Sequence, residues 1–234
     1  MNDNRIKELK LDRPEKYNAL TEEMIDRLLK EIEAVDGVRV ILLYGEGGNF
    51  SSGADLKGDA PKIFEKLVKL FSAMKSSPKI IIGLVDGHCI AGGFGLLAAA
   101  DLAIATPEAT FQLPETRRGL IAPLVASVSE HILPKRILKE MALTGEPLSA
   151  ERLYNVGFLN CLSEKDQLLE FGYKMAEQIL LGGPEAIYLT KRMLSQKTTP
   201  LKEALDWQFK ALSTGEPAEG LNAFKEKRPP NWVD

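Results

Sequence analysis

Histidine, cysteine and tryptophan are scarce in this chain, with two of each among 234 residues. Two cysteines, Cys89 and Cys161, cannot build a disulfide framework, and a reducing compartment is the default for such a chain. Each reads as a small buried hydrophobe. With only His88 and His131 and no clustered cysteines, no metal site of the zinc type is expected. No stretch approaches the roughly 18 apolar residues of a membrane span. The first residues, MNDNRIKELKLDRPEKYN, lack the apolar centre of a secretory leader. A cytoplasmic location is the resulting expectation. Excess charge is missing too: 30 Lys+Arg against 33 Asp+Glu leave a net −3, which offers no electrostatic footprint for nucleic acid or an anionic membrane. Neither is expected as a partner.

What remains is a chain of 44% hydrophobic and 27% charged residues, ordinary for a globular protein and long enough to bury a core without metal or disulfide support. Ile6–Leu11 alternates apolar and polar residues, as a half-buried strand does. Thr21 opens an amphipathic helix with Met24, Ile25, Leu28, Leu29 and Ile32 on one stripe. Val38–Tyr44 reads as a strand, followed by a glycine turn and a helix over about Pro61–Lys75. Ile80–Val85 is the next strand, then a helix over Gly92–Asp101, then short strands at 102–105 and 110–113. From about Pro134 onward the pattern is helical. Strands alternating with helices predict parallel strands with crossover connections, an α/β fold.

The most informative stretch runs from Lys79 to Asp101. A continuous apolar run ends at Val85 and gives way to Gly87-His88-Cys89-Ile90-Ala91-Gly92-Gly93-Phe94-Gly95, then restarts as an alanine-rich helix. Small residues at a strand-to-helix turn let a ligand approach the backbone, and the unpaired N–H groups of the first helical turn point at it. Such a turn favours negative charge, whether resident or developing.

Four segments in order resemble the crotonase superfamily, the enoyl-CoA hydratase/isomerase group. Arg13-Pro14-Glu15-Lys16-Tyr17-Asn18-Ala19-Leu20 looks like its opening motif, and Phe50-Ser51-Ser52-Gly53-Ala54-Asp55-Leu56-Lys57 like its first oxyanion loop. Gly87 to Asp101 looks like its second oxyanion turn, and Phe111-Gln112-Leu113-Pro114-Glu115-Thr116 like the segment bearing a catalytic glutamate. The tail from Glu219 to Trp232 is similar to the family's closing helix. The resemblance implies a crotonase-like spiral of ββα units over residues 1–190, with a helical C-terminal region, 191–234, that serves trimerisation. It implies an acyl-CoA thioester substrate, with coenzyme A arriving as part of that substrate and no separate cofactor. A homotrimer or a dimer of trimers is the implied assembly.

By the same resemblance the thioester carbonyl sits between the N–H groups of Ala54 and Ala91, while Ala54, Asp55, Leu56, Lys57 and Gly92 line the substrate. Glu115 is the acid/base. Ala91 stands where the family usually has the first glycine of three; it donates an N–H as well as glycine does, provided its φ is not positive. Gly95 stands where hydratases of the family carry a second glutamate. One carboxylate suffices to move a proton from C2 to C4, so the resemblance points to an enoyl-CoA isomerase (Δ3 to Δ2), with hydration of 2-enoyl-CoA and a catalytically inactive binding protein as alternatives. His88 is expected to be structural and Arg117-Arg118 to be solvated.

Overall fold

A computed structural model describes residues 3–233, apart from 36, 58 and 197. Eight strands are found among them: β1 (Ile6–Leu11), β2 (Val40–Gly45), β3 (Ile80–Val85), β4 (His88–Ile90), β5 (Leu102–Ala105), β6 (Thr110–Gln112), β7 (Leu148–Ser149) and β8 (Cys161–Leu162). The helices are α1 (Glu22–Glu33), α2 (Ala60–Ser76), α3 (Gly92–Ala99), α4 (Pro123–Ser129), α5 (Lys135–Thr144), α6 (Ala150–Asn155), α7 (Leu168–Leu180), α8 (Pro184–Leu194), α9 (Leu201–Leu212) and α10 (Glu216–Glu226). None of the described helices is long and apolar enough to cross a membrane.

A five-stranded sheet runs β1-β2-β3-β5-β8, parallel throughout. Its central strand β3 is buried along its whole length, as expected where parallel strands are covered on both faces. A second sheet runs β4-β6-β7, with β4 and β6 parallel and β7 antiparallel to β6. After β3 and after β5 the chain makes a tight turn, adds a short strand to the second sheet and enters a helical segment. β3–β4–α3 is one such unit. β2 begins another: Ser51 bridges to Cys89 of β4 before the chain enters α2. The mixed α/β architecture is therefore a spiral of ββα units, as the sequence resemblance implied.

Helical packing follows the apolar stripes. α1 buries Met24, Ile25, Leu28 and Ile32, and the Thr21 side chain caps it by accepting the Met24 N–H at 3.3 Å. α2 buries Ile63, Leu67, Leu70, Phe71 and Met74. α3 is buried at every position, because its residues are only Gly, Ala, Leu and Phe. Its Phe94 ring stacks on Phe158 at 4.8 Å and meets Phe111 edge-on at 6.3 Å. Cys89 is fully buried in this core and Cys161 partly so.

Two sequence expectations need correction, and one helix has no counterpart in the sequence reading. The region after Pro134 is not purely helical: β7 and β8 are two-residue strands, too short to carry a period-2 pattern, held by partners at Thr110–Phe111 and Ile104–Ala105. The helix from Gly92 stops at Ala99, since Asp101 turns its carboxylate to accept the Ile81 N–H at 2.8 Å. The short helix α4 lies in a segment left unassigned.

The chain divides into two compact units, Met1–Tyr173 and Lys174–Asp234. The division lies within α7, ahead of residue 190 where the expected core ends. Inside the second unit, the Glu216 carboxylate accepts the Glu185 and Ala186 N–H groups at 2.8 and 2.9 Å. It thereby caps the N-terminus of α8 with a negative charge. A Cβ at Gly183 would lie 2.3 Å from that carboxylate, so a side chain there would push the cap aside.

Candidate active site

The first loop is held by buried polar side chains. Asn18 is fully buried at φ 55°, a conformation asparagine adopts more readily than most residues. Its side chain accepts the Arg13 N–H at 2.9 Å and donates to the Glu46 and Asn49 carbonyls at 2.9 and 2.7 Å. Its own carbonyl accepts the Ser51 hydroxyl at 2.8 Å, and the Ser51 Oγ accepts the Gly53 N–H at 3.1 Å. Leu20 then pairs with both sides of Ala54, donating to the Gly53 carbonyl and accepting the Asp55 N–H. The Ala54 N–H is left without an acceptor in this framework.

The second turn begins where β4 ends. Ala91 has φ 52° and ψ −122°, a region costly for any residue with a Cβ. Its N–H extends the β4–β6 ladder by donating to the Gln112 carbonyl at 2.9 Å. That corrects the expected role: Ala91 cannot give the same proton to a substrate oxygen. The next amide, Gly92, is the first residue of α3 and has no intrahelical acceptor. A Cβ on Gly92 would stand 3.2 Å from the Ala54 nitrogen, and one on Gly53 would stand 3.0 Å from the Gly92 nitrogen. Ala54 and Gly92 are thus adjacent amides with no acceptor among the described residues, and a Cβ at 53 or 92 would crowd one of their nitrogens. Gly92, expected among the substrate-lining residues, takes the donor position.

Glu115 follows β6 as Gly92 follows β4, and Ile90 and Gln112 are register partners on those strands. Buried Leu113 and Pro114 anchor the short 3-10 turn it opens. Its Oε2 is buried with no hydrogen-bond partner among the described residues. Burial pushes the Glu115 carboxyl above the ordinary glutamate range, against the weaker pull of its own N–H and the Arg118 charge. An unpartnered buried carboxyl oxygen is costly unless something is meant to meet it.

The other candidates separate. Asp55 is paired to the Arg13 guanidinium at 3.2 Å; burial raises its pKa, but the Lys57 N–H and Arg13 outweigh this and hold it low. Leu56 and Lys57 are exposed on the loop leading to α2. His88 shares a 2.8 Å hydrogen bond between Nδ1 and the Thr110 hydroxyl, a structural role as expected. Arg117 and Arg118 are exposed, as expected, and Arg117 also donates to the Thr144 carbonyl and pairs with Glu146. Two residues that sequence reading passed over, Phe71 and Val125, face Gly95: a Cβ there would lie 3.0 Å from the Phe71 Cζ and 3.1 Å from the Val125 Cγ2.

The family model for enoyl-CoA hydratase/isomerase matches residues 2–234. The chain belongs to that family. Among its relatives, mevalonyl-coenzyme A hydratase sidH of Aspergillus fumigatus is 34% identical over 243 residues, covering 96% of this chain and 90% of the relative. The crystal structure of human enoyl coenzyme A hydratase domain-containing protein 3 superposes with a TM-score of 0.90 at 26% identity, covering 99% of this chain and 98% of that one. An enoyl-CoA hydratase/isomerase from Marinobacter aquaeolei does so at 0.89 and 27%, covering 100% and 98%. Sequence and fold therefore place the chain in the crotonase superfamily along its full length.

Proposed function

We propose that this crotonase-family protein acts on acyl-CoA thioesters and shifts a double bond from C3–C4 to C2–C3. The observations that carry the reading are two adjacent amides, Ala54 and Gly92, with no acceptor among the described residues, and one carboxyl, Glu115, which follows β6, the register partner of β4, and whose buried Oε2 has no partner among the described residues. The amides receive the thioester oxygen. Glu115 takes a proton from C2, and the electron pair of that C–H bond moves into the carbonyl, leaving an enolate on the oxygen. Fixed donors stabilise that charge without reorganising. The enolate then collapses, C4 receives the proton from Glu115, and the double bond lies between C2 and C3. Nothing is consumed and the carboxylate is restored, so the step calls for no cofactor beyond the coenzyme A carried by the substrate. Asp55, Leu56 and Lys57, on the loop after Ala54, line the coenzyme A track in this reading. A homotrimer or dimer of trimers in the cytoplasm belongs to the same proposal.

Hydration of 2-enoyl-CoA is the second reading, favoured by the name of the mevalonyl-coenzyme A hydratase relative. Side-by-side assays of 3-enoyl-CoA and 2-enoyl-CoA at matched chain lengths separate the two. Efficient hydration with no isomerisation overturns the first. Glu115→Gln should lower kcat by about 10²–10⁴-fold while leaving coenzyme A binding intact; a near-normal rate removes Glu115 from its role. Wild-type kcat/KM should rise with pH through a limb above the ordinary glutamate range, as Glu115 becomes the base.

Stability should show the same group with the opposite sign. The folded state holds the Glu115 proton more tightly than the unfolded state, so this residue's contribution is fully present below the unfolded pKa. It is lost as pH rises through the folded one. At neutral pH, Glu115→Gln should therefore melt higher than wild type.

A further inference from the structure

Gly95 lies one turn beyond Gly92 on α3, and residues at i and i+3 share a helical face. Gly95 therefore stands on the side of α3 that also carries Gly92. What fills the space beyond Gly95 comes from two other helices. The Phe71 ring, from α2, would meet an added Cβ through Cζ at 3.0 Å and Cε2 at 3.2 Å, and the Val125 methyl, from α4, would meet it at 3.1 Å. Both side chains are themselves almost completely buried, at 3% and 4% exposure. Neither offers a polar atom, and an ordered water in a protein interior needs two to four polar partners.

We propose that Phe71 is a specificity-determining residue, whose ring, backed by Val125, occupies the volume a polar side chain at position 95 would need and so keeps water from the side of α3 that carries Gly92. The inference rests on the isomerase reading and deepens it. The missing second carboxylate is more than an absent side chain, because its room has been given to an aromatic ring on another helix. Glycine at 95 and phenylalanine at 71 form a matched pair, and changing one without the other should fail. Hydration adds the oxygen of water to C3 and a proton to C2. It requires a group to hold that water and take its proton while Glu115 serves the other position.

The test uses Gly95→Glu, Phe71→Ala and the double variant, each assayed with 3-enoyl-CoA and 2-enoyl-CoA and each melted. Gly95→Glu alone should lower the melting temperature, impair isomerisation and gain no hydration. Phe71→Ala/Gly95→Glu should melt above Gly95→Glu and hydrate 2-enoyl-CoA about a hundredfold faster than wild type, the low end of what one placed acid/base group supplies. If the double variant does not fold, Phe71→Leu/Gly95→Glu carries the same test. Hydration by Gly95→Glu with Phe71 in place overturns the proposal, as does a folded double variant that gains none. Wild-type hydration without isomerisation would instead overturn the underlying reading, so the two failures are distinct.

Discussion

The two loops that supply amides reach the same end by opposite means. The Ser51–Asp55 loop is shaped by side chains: Ser51 bonds Asn18 and Gly53, Asn18 bonds Arg13, Glu46 and Asn49, and Arg13 holds Asp55. The turn at Ala91 has no side-chain cap at all. It is shaped by backbone, through the ladder bond from Ala91 to Gln112 and the start of α3. A polar network can be dismantled by removing one hydroxyl. A turn made of main chain is sensitive instead to whatever Cβ atoms are placed on it.

Substitutions can separate these two regimes. The largest effect is expected from Ala54→Pro, which deletes the amide of the first loop and should lower kcat by about 10²–10³-fold. Gly92→Ala keeps its amide but sets a methyl 3.2 Å from the Ala54 nitrogen, and should lower kcat with a smaller change in melting temperature. If either leaves kcat untouched, the amide pair is not the oxygen's site. Ser51→Ala comes next. It strands the buried Gly53 N–H and Asn18 carbonyl, at about 1–3 kcal/mol in denaturant unfolding. Its catalytic loss should appear in kcat more than in KM.

The smallest effect, of opposite sign, is expected from Ala91→Gly. Positive-φ strain of about 1–3 kcal/mol is relieved, offset by roughly 0.5–1 kcal/mol of extra chain entropy for glycine. Thermal unfolding should move upward while kcat stays near wild type, because the Ala91 amide serves the ladder and not the substrate. A large change in kcat would mean that the second turn depends on that methyl.

Much of this site was legible in sequence because it is built from short contiguous segments. Strand β3 and the small-residue turn could be found from local pattern, whereas Glu115 is singled out by the family resemblance of its segment. The choice between Ala91 and Gly92 could not, since it depends on which amide the neighbouring strand β6 claims, a matter of register between segments distant in the chain. Asn18 and Ser51 stand within the family motifs with no role of their own, and only the fold reveals that both are buried and tie the first loop together. Phe71 lies within the helix expected over about Pro61–Lys75 but is not singled out. Its place opposite Gly95 follows from how three helices converge. β7 and β8 were missed because two residues carry no period.

The cap on α8 has a consequence for how the chain is made. Its anionic stopper comes from Glu216, which leaves the ribosome well after the helix it completes. A nascent chain delivered only as far as Ser213 carries Pro184–Leu194 with two bare amides at its start. Completion of that helix waits for synthesis to run past Glu216.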